Sequence, residues 1–183
     1  MLQIVIPKNN LEFWDDSKQE FLVFDEQTLL LEHSLVSVSK WESKWHKAFL
    51  KKREKSREEI IDYIRCMTLN EVQDPRIYWC LTQENVDTIS EYINNSMSAI
   101  YIPKENTEGT VNSEVITSEL IYYWMTIFNI PFECENWHLN RLLSLIRVCN
   151  IKSQPAKKRS KDQILRDNAA LNRQRRAKLN SKG

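Results

Sequence analysis

TLLLEHSLVSVSKWESKWHKAF (28–49) changes its hydrophobic period part-way along, and that change decides the fold. Residues 28–32 are a short apolar run with the length and composition of a strand. From Leu35 onward the apolar residues are Leu35, Val38, Trp41, Trp45 and Phe49, at spacings of three and four that put them on one face of a helix. Lys40, Ser43, Lys44 and Lys47 fall on the opposite face, and Ser34 stands where an N-cap belongs. Trp41 and Trp45 on the apolar face belong either to the core or to a groove that receives a partner. Core is the preferred reading, because large aromatics dominate core burial.

Toward the N-terminus, LQIVI (2–6), which stops at Pro7, and EFLVF (20–24) are two more strand runs. Asp25-Glu26-Gln27 suits a hairpin connection between 20–24 and 28–32. Toward the C-terminus, KKREKSR (51–57) is a charged connector, and Ser56 with Glu59 forms a capping-box pattern. Ile60, Ile61, Ile64 and Met67 then mark the inward face of a helix. Asp74-Pro75 starts a short helix over 75–81, and Thr82 caps a further one with Val86, Ile89, Tyr92 and Ile93 inward.

Tyr63-Ile64 followed by Met67 is echoed by Tyr92-Ile93 followed by Met97. Two similar amphipathic helices explain this, since a repeat array needs three or more copies. Residues 103–113 are a polar loop. Residues 114–128 form the most apolar helix, expected at the centre of the bundle and ended by Asn129-Ile130-Pro131. The last body helix spans 136–149, with Leu139, Leu142, Leu143, Ile146 and Cys149 inward. The expected class is α+β, mainly α: short N-terminal strands with a hairpin, then a helical bundle, then a basic tail that is helical or disordered.

The formal net charge of +1 hides a strong asymmetry. Residues 152–183 carry eleven Lys/Arg and two Asp, or +9, which leaves 15 Lys/Arg against 23 Asp/Glu, or −8, for 1–151. The chain therefore divides into an acidic globular body, 1–151, and a basic linker and tail helix, 152–183. KSQPAKKRS (152–160) is the linker. Ser160 and Gln163 are suited to cap a helix over 161–178, which offers only Ile164, Leu165 and Leu171 as apolar contacts. A helix so short of packing is marginal in isolation. The tail cations Lys157, Lys158, Arg159, Arg166, Arg173, Arg175, Arg176 and Lys178 are candidate partner-binding residues, for an acidic protein surface or for phosphates. The tail lacks aromatics, so it offers nothing for single-stranded bases to stack on.

Signs of catalysis are sparse. Two glycines leave no phosphate-cradling loop, and neither GxSxG nor HExxH occurs. Cys134, His138 and Cys149 lie close in sequence but lack a fourth zinc ligand, so buried thiols and a helix-start histidine are the preferred reading. A Cys–His dyad using His33, His46 or His138 would have to meet in space, and free cysteines are usually buried and inert. Glu58/Glu59 and Asp15/Asp16 read as helix N-terminal charges and solvated loops. No catalytic, cofactor-binding or metal-binding residue is assigned, and no enzyme is expected. MLQIVIPKNN lacks the basic and long apolar regions of a signal peptide, and no stretch approaches the ~20 apolar residues of a membrane span. Four cysteines without a CxxC pair fit free thiols in a reducing cytoplasm.

Several segments carry a resemblance. LEHSLVSVSKWESKWHKAFL (31–50), DYIRCMT (62–68), ELIYYWM (119–125), IPFECENWHLNRLLSLIRVCNI (130–151) and NAALNRQRRAKLN (168–180) resemble a group of long-tailed bacteriophage tail assembly chaperones, over nearly the whole chain. The resemblance implies a holdase that coats the tape measure protein until the tail tube polymerises around it. It further implies tail tube protein as a second partner, no catalytic residues, absence from the finished virion and residence in the host bacterial cytoplasm. It admits a homo-oligomer and makes nucleic acid the less favoured partner. The break near residue 151 resembles the two-part layout of family members made in short and extended forms. The alternatives are a phage structural or connector protein, or a nucleic-acid-binding protein acting through the basic tail.

Overall fold

The computed structural model describes residues 1–8, 13–15, 19–22, 25–72, 74–100, 115–153 and 161–179. They fall into two compact units, Met1–Asn150 and Ile151–Gly183. The class is α+β and mainly α. Strands β1 (Leu2–Ile6), β2 (Phe13–Asp15), β3 (Glu20–Leu22) and β4 (Gln27–Leu31) come first, and helices make up the rest.

The strand pairing corrects one expectation. β4 does not pair with the 20–24 strand across Asp25–Gln27. It pairs antiparallel with β1, with Leu2 opposite Leu31 and Ile4 opposite Leu29, while β2 pairs with β3. The reason lies in matched alternation. β1 and β4 are equal in length, and pairing them puts Ile4, Ile6, Leu29 and Leu31 into the core together. The other edge of β4 is covered by the chain after the second helix. Leu69 N–H donates to Leu30 O (2.8 Å), and the Asn70 side chain accepts from Leu30 N–H (2.8 Å) and donates to Thr28 O (3.0 Å). β2 was not anticipated, because three residues are too few to show a period. Of the expected strand 20–24, Val23 and Phe24 lie outside the described residues.

Helix α1 (Leu35–Trp45) is capped by Ser34, whose side chain accepts from Ser37 N–H. It is shorter than the apolar spacing predicts. His46 adopts the left-handed conformation (φ 50°), a state for which His, Asn and Asp are enriched, and its N–H closes the helix on Glu42 O at 2.8 Å. Phe49 is therefore outside the helix but still buried. The chain folds back so that its ring stacks on Tyr63 at 3.9 Å and meets Trp41 edge-on at 5.2 Å.

Trp41 is fully buried and its indole N–H donates to Glu59 O (2.9 Å); Trp45 is partly buried and donates to Asp62 (2.9 Å). Both tryptophans thus tie α1 to α2 (Arg57–Met67) as core and core rim.

The Ser56/Glu59 capping box at the start of α2 is present. Glu59, however, is not a solvated charge. It is buried and accepts a two-pronged contact from Arg53 (3.0 Å each) and one from Lys47 (2.8 Å). The Arg53 and Lys47 contacts, with the Ser56 N–H, hold its carboxyl down at about 2. Asp62, one turn on, is also buried and pairs with Lys44. Ile61, Ile64 and Met67 face inward as expected, whereas Ile60 is 39% exposed and Tyr63 takes the inner position.

The short helix after Pro75 is a 3-10 helix, Pro75–Cys80, capped by Asp74. α3 (Gln83–Asn94) begins with a Thr82/Asn85 capping box and buries Ile89 and Tyr92, with Val86 and Ile93 half-buried. The polar loop 103–113 lies outside the described residues. α4 (Ser118–Ile127) ends in a Schellman motif: Asn129 is left-handed (φ 51°), Ile130 N–H reaches Met125 O (2.9 Å) and Asn129 N–H reaches Thr126 O (3.2 Å). A second 3-10 helix, Phe132–Asn136, takes up the start predicted for the last body helix. α5 accordingly runs Leu139–Ser153, past the composition break at Asn150. Lys152 in its last turn suits the negative end of the helix dipole. α6 spans Lys161–Leu179.

Candidate partner-binding grooves

α4 is where sequence and structure part most informatively. It is the most apolar helix, yet it is not central. Of its residues only Ser118, Ile121 and Met125 are buried. Tyr123 is 59% exposed and Ile127 49%, and Val115, Ile116 and Phe132 beside the helix are exposed too. A run of apolar residues this exposed is the signature of an interaction surface.

That surface is concave. Between α4 and α5 lies a groove of about 460 Å³ whose walls include Ile116, Tyr123, Trp124, Ile127, Leu143 and Arg147. A shallower depression of about 210 Å³ shares Leu143 and Arg147 with it and continues toward Ser96, Asn140 and Ser144. The continuous wall is α5 from Asn140 to Asn150, three turns or about 15 Å.

One buried carboxylate holds the N-terminal end of α4. Thr117 at its N-cap makes no side-chain cap. The cap comes from α1: Glu42 Oε2 accepts from Ser118 N–H (2.7 Å), while Glu42 Oε1 accepts from Phe49 N–H (2.7 Å). One side chain therefore satisfies an orphan donor of α4 and holds the returning chain at Phe49. Glu42→Ala should leave both donors unpaired and cost about 1–3 kcal/mol in urea-unfolding free energy. A change within experimental error would show that α4 is positioned by packing alone.

A second groove, about 480 Å³, lies among α2, the first 3-10 helix and α3, lined by Arg57, Ile60, Ile64, Trp79, Leu81 and Val86. Trp79 is 38% exposed, and the Arg57 guanidinium sits over its ring at 5.6 Å. Ile60, predicted inward, is turned out to form part of this groove.

The sequence-predicted tail cations divide. Lys157, Lys158 and Arg159 lie outside the described residues, as does the Ser160 cap. Arg166, Arg173, Arg175, Arg176 and Lys178 are all exposed on α6. At 100° per residue, Arg166, Arg173 and Arg176 share one arc with Ala169, Ala170 and Ala177, so from residue 166 to 177 α6 carries a smooth cationic face suited to an anionic partner.

Cys134, His138 and Cys149 do not form a ligand set, and no cluster of metal-ligating side chains occurs among the described residues. His138 is instead structural. One ring nitrogen is hydrogen-bonded to Tyr92 O (3.1 Å), and the other accepts from Asn140 N–H (3.3 Å). It stacks edge-on against His33 at 5.1 Å, and His33 shares a hydrogen bond with Tyr63. Burial is the main reason both histidines sit below the usual imidazole range, His33 at about 3. The Tyr92 hydroxyl donates to Glu32 (2.7 Å), whose other oxygen meets the Met1 ammonium at 2.6 Å. This cluster joins β4, α2, α3 and α5. Periodicity could not reveal it, because even its hydrogen-bonded pairs His33–Tyr63, Tyr92–His138 and Glu32–Tyr92 lie 30 to 60 residues apart.

No protein-family model, no curated protein and no solved structure matches the chain.

Proposed function

We propose that the chain is a non-enzymatic tail assembly chaperone of a long-tailed bacteriophage. It holds the tape measure protein in the host cytoplasm until the tail tube forms around it and is absent from the finished virion. The observation that carries this reading is the outward apolar face of α4, with the groove it forms against α5. A holdase for a long amphipathic helix needs such a concave strip on a rigid body, since helix-in-groove recognition works by seating apolar anchors at i, i+3, i+4 and i+7. The cationic face of α6 supplies a second, separate contact, here assigned to the tail tube protein. No helix among the described residues is long and apolar enough to cross a membrane, which agrees with this reading.

Co-expression with the tape measure protein is the test. The wild-type chain should keep that protein in the supernatant and co-purify with it, and Ile127→Glu should lower recovery about tenfold or more, with the circular dichroism spectrum unchanged. An insoluble tape measure protein in the presence of wild-type chain, or stoichiometric amounts of this chain in purified virions, would contradict the proposal.

A further inference from the structure

The two grooves of the body have the same make-up. Each has an aliphatic floor, Ile116 with Ile127 and Leu143 in one, Ile60 with Ile64 and Val86 in the other. Each exposes a large aromatic side chain, Tyr123 in the first and Trp79 in the second. Each has one arginine in its wall, Arg147 or Arg57, and among the described residues neither arginine forms an ion pair. The grooves share no lining residue.

Acids outnumber bases by 23 to 15 over residues 1–151, and several cations of the body have an acid of the chain beside them. Lys44, Lys47, Arg53, Arg65 and Arg76 all pair with acids of the chain. Arg57 and Arg147, like Lys40, Lys51, Lys52, Lys55 and Arg141, pair with no acid of the described residues, and of these seven cations they are the two that line the apolar grooves. A guanidinium at the lip of an apolar groove selects an occupant that brings its own carboxylate beside its apolar stripe.

We infer that the body is bivalent: it docks two acid-bearing amphipathic helical segments of one partner chain, one between α4 and α5 against Arg147, the other between α2 and α3 against Arg57. The inference rests on the chaperone reading and deepens it. A holdase that grips a long helical client at two places gains affinity through effective concentration, with no further contact needed. It also discriminates for clients whose apolar-acidic pattern recurs along the chain. The body's overall negative charge does not prevent this, because exposed charges more than about 8–10 Å away are screened at physiological salt, whereas the groove arginine is in contact.

The experiment uses the full chain and synthetic peptides, measured by isothermal titration calorimetry. One probe is a single four-turn helix of about 14 residues, with leucines at i, i+3, i+4 and i+7 and glutamates flanking that stripe. The other is a tandem of two such helices joined by flexible Gly/Ser linkers of graded length. The single peptide should bind at two sites per chain. The tandem should bind one per chain and, at the best linker length, at least about 100-fold tighter. Ile127→Glu or Ile60→Glu should each reduce the tandem to the single-peptide affinity and the single-peptide stoichiometry from two to one. Both positions are half-exposed, so the folded state should survive, and unchanged melting curves confirm it.

The charge argument has its own arm. Replacing the peptide glutamates by lysines should weaken binding about fivefold, and the Arg57→Glu, Arg147→Glu double variant should reverse that preference. A tandem no tighter than the single peptide at any linker length would overturn bivalency and leave the chaperone reading standing. One site per chain, or a second full-length copy of this chain occupying the second groove, would overturn it equally. No single-peptide binding at either groove would overturn the inference together with the groove as the client site, while co-purification with the tape measure protein would still test the chaperone reading by itself.

Discussion

Trp41→Ala should remove about 3–5 kcal/mol of folding free energy, a large share of the roughly 5–15 kcal/mol that holds a domain folded. Trp41 is fully buried and packs on Phe49 and Trp45. Its indole N–H donates to the Glu59 carbonyl in the first turn of α2. Truncation therefore creates a large cavity and removes the second hydrogen bond that the Glu59 carbonyl accepts beside its place in the helix. Trp45→Ala should cost distinctly less, because Trp45 is only partly buried and Asp62 keeps Lys44 as a partner. Urea unfolding of the two variants checks this. Equal losses would mean that the hydrogen bonds to α2, and not cavity formation, set the energy of this contact.

The second large effect is acid sensitivity. His33 and His138 are buried and held neutral in the folded state, whereas the unfolded chain takes up protons on both near pH 6.5. A group whose folded pKa is depressed contributes stability above its unfolded value and loses it as the pH falls. For His33 that window opens at 6.5 and extends to about 3. Glu59, depressed from 4.5 to about 2, adds a loss of the same sign below 4.5. Between pH 6.5 and 4.5 the histidines act before Glu59 does; His33 should lower stability by up to about 1.4 kcal/mol per pH unit, and His138 adds a loss of the same sign. The groups that face the pair are Tyr63, Tyr92, Glu32 and the Met1 ammonium, and none of them reverses the sign. The His33→Gln, His138→Gln double variant should flatten the slope between pH 6.5 and 4.5 whatever it does to absolute stability. An unchanged slope would mean that carboxylates carry the acid sensitivity.

Much of this fold was legible because it is written in local chemistry. Ser34, Ser56 and Thr82 cap the helices they were expected to cap, and the α1 and α2 faces follow their apolar spacing up to Trp45 and from Ile61. What the sequence hid depends on distant partners. Phe49 continued the helical spacing, but the left-handed turn at His46 and the pull of Glu42 on its backbone took it out of the helix. β1 and β4 found each other across some twenty intervening residues through matched alternation. The candidate site was hidden for the opposite reason. α4 has the composition of a central helix, and composition carries no record of which neighbours arrive to cover a face. Only packing reveals that α1 covers one side and leaves Tyr123 and Ile127 outside.

The most direct measurement of the central claim is hydrogen exchange of the full chain, free and bound to a co-expressed tape measure fragment. The account predicts slowed exchange across 116–128 and 143–150, where the client lies on the α4–α5 groove. Slowing confined to 161–179, with those segments unchanged, would contradict it.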